Sequence, residues 1–535
     1  MANRTVYPTI LSLMRAVFGA PKAAVRSYVL SSSVLFSTHM VGDRPILVRD
    51  FIHSALYDPT HGYFSKRSAS VGVLDTSVKY NQLQGRKAYL QHLDKIYKES
   101  GTSWFTPVEL FKPWYAHGIA EAIMRTANLS FPLKIYEIGG GSGTCAKGIM
   151  DYIMLNAPPR VYDTMTYISV EISSSLAEKQ LEQVGHVHSH LSRFKVECRD
   201  AADRGGWGDV QQQPCWVIML EVLDNLPHDL IYAENQVSPW KEVWIEKQPQ
   251  RSTPSELYKP VQDPLIACCM EILGIDLNAR GNRMMSAPRS IWSKVFPKPR
   301  RRWLPTGCLK LMGALHGALP KMSLIISDFS YLPDVRITGE RAPLVSSKKD
   351  GNSSDHDSYL DAEGDADIFF PTEFWLLERM DHYCSGWLKP KDTSSKEGKK
   401  RRTITLDTSA FMEEFGLPLK TRTKDGTLWV GSIWVHMSLT IFFLNLKHQR
   451  GMQMSSILVS QGIRGGSPWM SRSKFCTADV NMEQMGFFFL AESGGHPHEK
   501  RTMICCSVNA GVLQVDPGKA KGSILEFGST AKTRP

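Results

Sequence analysis

The sequence predicts an α/β fold built on a parallel sheet, with a helical segment before the sheet and a long insertion within it. Between Leu133 and Asp224, short apolar stretches alternate with helical ones, as expected when helices connect parallel strands by right-handed crossovers. A glycine-rich loop follows the first apolar stretch, and acidic residues end or follow the later ones. The 535 residues are enough for two or three folding units with a substantial core.

Two helices are expected ahead of the sheet. Residues 46–56 carry apolar side chains at helical spacing, and Pro59 stops this segment because proline cannot continue a helix. A second helix is expected from about Arg86 to Ser100, where Gly101 supplies a C-terminal stop. Residues 43–130 are therefore predicted to form a helical region.

A third helix start lies just before the sheet. Thr106 occupies the N-cap position, Pro107 the first helical position and Glu109 the third, which together make a complete start signal. This helix is predicted to run through Ile119–Met124. The capping role explains Glu109, and a third catalytic acid is the alternative interpretation.

The sheet domain is predicted over residues 131–425. Its expected strands are Leu133–Ile138, Thr166–Glu171, Phe194–Cys198, Cys215–Leu220 and Ser323–Ser327. Helices are expected to begin near Thr144 and near Ser175, where a capping box is present. An insertion at about 228–320 is the natural place for substrate or partner recognition. The polar stretch 346–367, rich in Ser, Asp and Gly, is predicted to be a linker.

The strongest motif is the loop after the first strand, where Glu137 precedes Gly139, Gly141 and Gly143 in a G-x-G-x-G spacing. Glycines permit positive φ and let the backbone approach a ligand closely. A dinucleotide site favours G-x-G-x-x-G, which would place its third glycine at Thr144. The carboxylate of Glu137 would repel a pyrophosphate and attract a ligand that carries an ammonium and a sulfonium. The loop therefore favours S-adenosylmethionine over a dinucleotide.

Further acids stand at the ends of the next three strands. Glu171 ends the second strand, where a carboxylate can accept both hydroxyls of a ribose. Asp200 follows the third strand and can accept from an adenine amino group. Glu221 and Asp224 follow the fourth. Any one of these is readily explained as a solvated carboxylate or a helix cap. Together they predict a ligand site at the carboxyl edge of the sheet.

Several segments resemble the MidA-like group of class I methyltransferases, which includes the mitochondrial complex I assembly protein arginine methyltransferases. The matching segments are LYDPTHGY (56–63), FTPVEL (105–110), YEIGGGSGT (136–144), VEIS (170–173) and LEVLDNLPHD (220–229). The Y-x-P-x-x-G-Y pattern is specific, since the general methyltransferase fold does not require it. The resemblance extends from about Pro45 to Asp425. It implies a Rossmann-like class I methyltransferase sheet with S-adenosyl-L-methionine as cofactor.

The resemblance also implies an activity, which is symmetric dimethylation of an arginine on a respiratory complex I subunit during complex assembly. Carboxylates suit this acceptor because they pair with the planar guanidinium fork. Glu221 and Asp224 are the candidates for guanidinium binding and proton acceptance. The candidates for cofactor binding are Glu137, Gly139, Gly141, Gly143, Glu171 and Asp200. Two alternatives are a non-catalytic complex I assembly factor that retains the fold and a nucleotide-dependent oxidoreductase, which the glycine spacing disfavours.

The net charge of +10 suggests a nucleic-acid partner until the charge is located. Residues 1–42 contain four basic and no acidic residues and are rich in serine, which is typical of an organelle transit peptide. We predict targeting to the mitochondrial matrix, with a chloroplast less favoured and an ordinary flexible terminus as the alternative. Residues 426–535 hold eleven basic and six acidic residues. The body over 43–425 is therefore nearly neutral, and a nucleic-acid partner loses its main support.

Four remaining features complete the predictions. The ten cysteines form no C-x-x-C pair and no metal-ligand spacing with histidine, so we expect reduced thiols and no metal site. Basic clusters at 298–302 and 399–402 are interpreted as solvated loop charge, with a nuclear signal or an acidic-partner patch as alternatives.

Residues 426–446 lack charged side chains and are long enough to cross a bilayer. Because they include Ser, Thr and His, a buried segment of a folded domain is an equally good interpretation. The tail is expected to be weakly ordered from about Gly451.

Overall fold

The structure, a computed structural model, describes eleven segments of the chain. These are residues 44–66, 72–100, 105–247, 254–275, 299–332, 335–349, 352–386, 402–426, 437–443, 486–489 and 504–507. The predicted transit peptide over 1–42, the cluster at 399–401 and most of the tail lie outside the described residues.

The N-terminal region is helical, as predicted. Its elements are β1 (Ile46–Leu47), α1 (Val48–Tyr57), α2 (Tyr63–Lys66), α3 (Gly85–Ser100), α4 (Pro107–Leu110) and α5 (Trp114–Thr126). Thr106 caps α4 by accepting from the Glu109 N–H at 3.3 Å. The predicted single helix after Thr106 is wrong, because Pro113 lacks an N–H and the chain starts a new helix at Trp114.

The next stretch alternates strands and helices. Its elements are β2 (Lys134–Ile138), α6 (Thr144–Asn156), α7 (Pro159–Thr164), β3 (Thr166–Glu171), α8 (Ser174–Gly185), α9 (His188–Leu191), β4 (Phe194–Cys198) and β5 (Cys215–Leu220). Three strands match their predicted residues. Helix α8 is capped by Ser173, whose hydroxyl accepts from the Leu176 N–H, and not by Ser175 as predicted.

The rest of the main unit contains strands and four further helices in the described ranges. They are β6 (Asp229–Ala233), β7 (Lys241–Glu246), β8 (Ser255–Pro260), α10 (Pro264–Leu273), β9 (Arg300–Leu304), α11 (Thr306–Ala318), β10 (Met322–Phe329), β11 (Leu344–Lys349), β12 (Asn352–Asp355), β13 (Asp367–Phe369), α12 (Phe374–Cys384), β14 (Arg402–Asp407), α13 (Thr408–Phe415) and β15 (Met437–Phe443).

A seven-stranded sheet forms the centre, in the order β14-β15-β10-β5-β2-β3-β4. The five strands from β10 to β4 are parallel to one another, and β15 is antiparallel to both of its neighbours. This is the predicted Rossmann-like α/β class with an added antiparallel strand. Because the parallel strands share one direction, their carboxyl ends and the loops that follow them meet at one edge.

Apolar side chains cover both faces of this sheet. Ile135, Tyr167 and Ile218 face one core cluster, which includes buried residues of α5, α6 and α13. Their strand neighbours Tyr136 and Val217 face the opposite cluster, which includes buried residues of α10, α11 and α12. Strands buried on both faces read as continuous apolar runs, which explains why the sequence located them well.

The predicted insertion forms a second sheet. Strands β6, β7, β8 and β9 pair antiparallel, and β1 from the N-terminal region joins them through β7. Helix α1 packs on this sheet through a third core cluster that includes Phe51, Ile52 and Trp303. Helix α11, which also lies within the predicted insertion, instead packs on the central sheet.

The prediction of a linker over residues 346–367 is wrong. Strands β11, β12 and β13 form a three-stranded antiparallel sheet there. Part of its polarity is buried and hydrogen-bonded, since Asp367 is buried and accepts from the Asn225 amide at 2.9 Å. Polar composition alone therefore did not distinguish these strands from a loop.

The basic cluster at 298–302 is paired in its described part. Arg301 donates to both oxygens of Glu256 at 2.7 and 2.6 Å, and Arg302 lies 3.4 Å from the Glu340 carboxylate. Arg300 stacks over the Trp240 ring at 4.2 Å. These arginines hold strand β9 in place, so neither solvated loop charge nor a partner patch is needed to explain them.

The central sheet continues beyond Asp425, where the sequence placed the start of the tail. Strand β15 uses residues 437–443 of the uncharged stretch, and the rest of that stretch lies outside the described ranges. Among the helices that the structure describes, none combines the length and apolar composition needed to cross a membrane. A separate unit, residues 453–535, contains the antiparallel pair β16 (Gly486–Phe489) and β17 (Ile504–Ser507).

Candidate functional site

A cavity of about 600 Å³ opens at the carboxyl edge of the parallel strands. Its walls come from the loop after β2, from the ends of β3, β4 and β5, and from helices α1 and α11. Of the predicted site residues, the structure brings together Gly139, Gly141, Glu171, Asp200 and Glu221 in this lining. Small-molecule sites typically enclose about 300–1,000 Å³, so the cavity has room for a cofactor and part of an acceptor.

The glycine loop turns tightly between β2 and α6. Gly139, Gly141 and Gly143 have φ angles of 67°, 54° and 84°. Residues that carry a side chain rarely adopt such positive values. Gly143 does not line the cavity but is the residue that precedes α6. The Thr144 hydroxyl at the helix start donates to the buried Glu109 carboxylate at 2.6 Å. Glu109 thus supports the loop from behind, which goes beyond its predicted capping role.

Glu137 lies beneath the loop and does not line the cavity. Its carboxyl is buried and accepts from the Tyr167 hydroxyl at 2.9 Å, with the Cys145 thiol as a second partner. Burial raises the pKa of Glu137 to about 7. A direct cofactor contact for this residue remains a prediction, and the structure gives it a position inside the core.

Glu171 and Asp200 sit at the ends of β3 and β4. Glu171 accepts from the Ser173 N–H and from the Gln180 amide, both at 3.0 Å, and burial raises its pKa to about 7. The backbone N–H groups of Ile172 and Gly141 are further partners of this carboxyl, so a ligand hydroxyl would share its oxygens with these donors or replace one of them. Asp200 accepts from the Ala202 N–H at 2.8 Å and faces the same cavity.

Glu221 is the residue at the tip of β5, and its backbone is strained. Its φ of 54° is one of two positive values among non-glycine residues in the described segments. Such a conformation costs roughly 1–3 kcal/mol and persists only where the surrounding structure enforces it. The Glu221 N–H donates to the Ser327 carbonyl at 2.9 Å, which fixes the turn. Burial and the nearby Asp224 carboxylate raise the pKa of Glu221 well above its usual range.

Asp224 lies behind Glu221 and does not line the cavity. It is buried, and burial raises its pKa above its usual range. One carboxyl oxygen, Oδ1, is buried without a hydrogen-bond partner. Within the described ranges, no lysine, arginine or histidine forms an ion pair with Glu221 or Asp224. With the buried Asp328, whose pKa burial and the same acids raise, they form a cluster of carboxyl groups that favours the protonated form and has no compensating cation in the part of the chain that is described.

Helix α1 supplies a wall that the sequence analysis did not anticipate. Arg49, His53 and Tyr57 are spaced four residues apart, so they share one helix face, and all three line the cavity. Arg49 is held by ion pairs to Asp229 and Asp263 at 2.7 and 2.5 Å. The Tyr57 hydroxyl donates to the carbonyl of Asn225 at 3.0 Å. The YDPTHGY segment was the available signal, since it begins with Tyr57.

The Glu137 carboxyl leads to a testable pH effect on stability. Its pKa is about 7 in the folded protein and 4.5 when unperturbed, so the folded state holds the proton more tightly. Stability from this group is full below pH 4.5 and is lost as the pH rises to about 7. As the pH rises from 5 to 8, we expect the free energy of unfolding to fall less for Glu137→Gln than for the wild type. Urea unfolding measures this free energy at each pH. The exposed Glu182→Gln should follow the wild type; parallel curves for Glu137→Gln and the wild type would contradict the assignment.

No group of His, Cys, Asp and Glu side chains in the described segments has the arrangement of a metal site. The cavity instead combines a glycine loop, two acids at strand ends and a strained acid beside a second buried carboxyl. Acids at these positions attract a cationic ligand and repel a phosphate-rich one.

Comparisons with known proteins agree with this chemistry. A family model described as "Putative S-adenosyl-L-methionine-dependent methyltransferase" matches residues 116–391, about half of the chain. A curated relative from Schizosaccharomyces pombe, "Protein arginine methyltransferase NDUFAF7 homolog, mitochondrial", is 22% identical over 355 residues, which cover 63% of this chain and 75% of the relative.

Two solved structures from Burkholderia thailandensis resemble the chain. A superfamily member bound to S-adenosyl-homocysteine is 14% identical with a TM-score of 0.49, covering 75% of this chain and 88% of that chain. A native structure of a superfamily protein is 12% identical with a TM-score of 0.46, covering 75% and 87%.

Proposed function

The chain belongs to the S-adenosyl-L-methionine-dependent methyltransferase family, and from this membership we propose that it methylates arginine side chains of a protein. The observation that carries the proposal is the buried pair of acids, Glu221 and Asp224, beside the glycine-loop cavity. A guanidinium cation would supply the positive charge that this pair lacks. The name of the Schizosaccharomyces pombe relative, a protein arginine methyltransferase, supports the same acceptor.

The lining residues fit S-adenosyl-L-methionine. The cofactor supplies a methyl group on a sulfonium, which is already activated for transfer. We assign the backbone of Gly139 and Gly141 to the close approach of the cofactor, Glu171 to the ribose hydroxyls and Asp200 to the adenine amino group. Glu137 and Gly143 support the loop from outside the cavity.

Glu221 is proposed to bind the acceptor guanidinium. Its carboxyl reaches the cavity from the tip of β5, next to the loop that holds the cofactor. A carboxylate pairs with two guanidinium N–H groups at once, which orients the remaining nitrogen. The protein then acts mainly by alignment and by excluding water from the reacting atoms.

The acid pair also provides a place for the proton that the reaction releases. Two neighbouring carboxyls disfavour double ionisation, so the pair holds a proton near neutral pH. A bound guanidinium favours the ionised pair and displaces that proton. When the guanidinium nitrogen forms its bond to carbon, the carbon–sulfur bond breaks with its electrons on sulfur. The nitrogen's proton passes to Glu221, with Asp224 behind it.

Ligand-induced stabilisation separates this proposal from a nucleotide-dependent oxidoreductase. S-adenosyl-homocysteine at about a hundred times its Kd should stabilise the fold by about 2.7 kcal/mol, because it binds only the folded state. NAD should leave the melting temperature unchanged, since a pyrophosphate would lie near Glu171 and Asp200. Thermal unfolding with each ligand makes the comparison. A shift with NAD alone would contradict the assignment of the cavity.

The finer parts of the proposal concern the substrate and the compartment. We assign the chain to the mitochondrial matrix, supported by the basic, acid-free stretch 1–42 and by the mitochondrial label of the relative. The family resemblance supports a respiratory complex I subunit as substrate and symmetric dimethylation as the modification.

The test of the proposal is transfer to protein. The purified chain is incubated with methyl-labelled S-adenosyl-L-methionine and a mitochondrial extract from cells that lack the chain. Label is expected in protein, where protease treatment releases it as peptides. Label only in small molecules, or none above a heat-inactivated control, would contradict a protein acceptor. Absence of any transfer despite S-adenosyl-homocysteine binding would favour a non-catalytic assembly factor.

A further inference from the structure

A buried amide side chain joins two parts of the cofactor site. Gln180 of helix α8 is fully buried. Its Nε2 donates to the Gly141 carbonyl at 3.1 Å and to Glu171 Oε2 at 3.0 Å. Both Gln180 acceptors belong to residues that line the cavity, whereas Gln180 does not line it. A glutamine amide has two N–H donors, so both are used.

The same residue packs against the end of the glycine loop. A Cβ placed on Gly143 would lie 2.9 Å from the Gln180 Cα, so the loop and helix α8 meet there without space for a methyl group. A Cβ on Gly140 would lie 3.2 Å from the Gln180 Nε2. The loop is therefore held against α8 by backbone packing at Gln180 and by the hydrogen bond from the Gln180 side chain to Gly141.

The neighbouring groups fix the orientation of the amide. If the oxygen and nitrogen were exchanged, the amide oxygen would face the Gly141 carbonyl and the Glu171 carboxylate, both of which are acceptors. In the present orientation Gln180 Oε1 is buried without a partner. A buried acceptor without a hydrogen bond costs about 1–3 kcal/mol. This cost is offset in part by the two hydrogen bonds that Nε2 donates to the Gly141 carbonyl and the Glu171 carboxylate.

We propose that Gln180 is a positioning residue which holds the Gly141 segment of the loop and the Glu171 carboxylate in the arrangement that receives S-adenosyl-L-methionine. The inference rests on the cofactor and not on the identity of the acceptor. Its test therefore uses ligand affinity alone, and failure of arginine methylation would leave it standing.

Glu171 must be ionised to accept two hydroxyl groups, so its surroundings decide the pH dependence of binding. Burial raises its pKa to about 7, and the Gln180 hydrogen bond opposes this rise. The titratable or charged groups around it on other elements are Tyr57 of α1, Glu137 of β2, Cys198 of β4, and Arg199 and Asp200 after β4. S-adenosyl-homocysteine affinity of the wild type should rise as the pH passes through about 7.

Two variants test the role of the amide, with affinity for S-adenosyl-homocysteine measured by calorimetry from pH 6 to 8.5. Gln180→Met keeps the length but has no donor, so the affinity at pH 7 should fall about tenfold and its midpoint should move to higher pH. Gln180→Glu places a second carboxyl beside Glu171. Its affinity should fall as the pH rises, the reverse of the wild type. The same-helix control Gln183→Met should match the wild type.

The outcomes are decisive for both variants. If Gln180→Met binds within about twofold of the wild type with an unchanged midpoint, Gln180 only fills space and the proposal is wrong. If Gln180→Met does not fold, the slope of the Gln180→Glu affinity against pH decides. A rising slope like that of the wild type would overturn the proposal, and a falling slope would support it.

Discussion

Glu221→Gln is expected to lower methyl transfer by about a hundredfold or more, while affinity for S-adenosyl-homocysteine stays within about threefold. The amide keeps the size of the side chain but cannot ionise, so it neither neutralises a guanidinium nor accepts its proton. The cofactor contacts that we propose for Gly139, Gly141 and Glu171 should be unaffected. Single-turnover transfer of labelled methyl to protein, together with calorimetry of S-adenosyl-homocysteine, measures the two effects separately.

A control variant and a second acid variant accompany Glu221→Gln. Glu182→Gln removes an exposed acid of α8 and should behave as wild type. Asp224→Asn should also retain cofactor affinity and should lose transfer to a lesser degree than Glu221→Gln, because Asp224 does not line the cavity and we propose that it acts through Glu221. Equal losses of transfer and of cofactor affinity in Glu221→Gln would show that this acid serves the cofactor and not the acceptor.

Gly143→Ala is expected to abolish measurable binding of S-adenosyl-homocysteine and to lower the melting temperature. The φ of 84° costs an alanine roughly 1–2 kcal/mol. The added Cβ would lie 2.9 Å from the Gln180 Cα, and a backbone atom cannot move aside as a flexible side-chain end can. Either the loop or helix α8 must shift, which displaces Gly141 and Glu171 together.

Gly313→Ala is the matched control for this substitution. Gly313 lies in helix α11, and a Cβ there would meet nothing within 4 Å. Alanine is preferred over glycine in a helix by about 1 kcal/mol, so this variant should be at least as stable as the wild type and bind the ligand normally. Normal ligand binding by Gly143→Ala would contradict the described packing of loop and helix.

The sequence predicted the central parallel strands well because they are buried, whereas the edge strand β4 is partly exposed. Strands β3, β4 and β5 begin and end at the predicted residues, and β2 differs by one residue. The central strands are largely apolar, and turns or helix starts bound each strand. The same reasoning identified the loop and the acids at the strand ends, because parallel strands bring their ends to one edge.

The contribution of α1 to the cavity could not be predicted in this way. Arg49 and Tyr57 lie far along the chain from Asp229 and Asn225, with which they form bonds. Such contacts depend on how the insertion folds, since α1 packs on the second sheet that the insertion builds. The local pattern showed only a helix with an apolar face and a proline stop.

The positions of the acids depended on how far each lies from the end of its strand and on packing. Glu137 precedes the last residue of β2 and points to the same side as Ile135, into the core, whereas Glu171 is the last residue of β3. From the sequence, Glu137 and Glu171 were both predicted to bind the cofactor. Asp224 lies on a buried turn whose N–H groups bond to Asp328, a partner over a hundred residues away. Neither placement was visible in the sequence.

We propose that this cavity transfers a methyl group to an arginine of a protein. The most direct measurement is mass spectrometry of acid-hydrolysed protein after reaction with isotopically labelled S-adenosyl-L-methionine and mitochondrial extract. We expect labelled methylarginine, with symmetric dimethylarginine as the end product, and its loss in Glu221→Gln. Label on lysine, on another amino acid, or equally on arginine with the wild type and Glu221→Gln would contradict it.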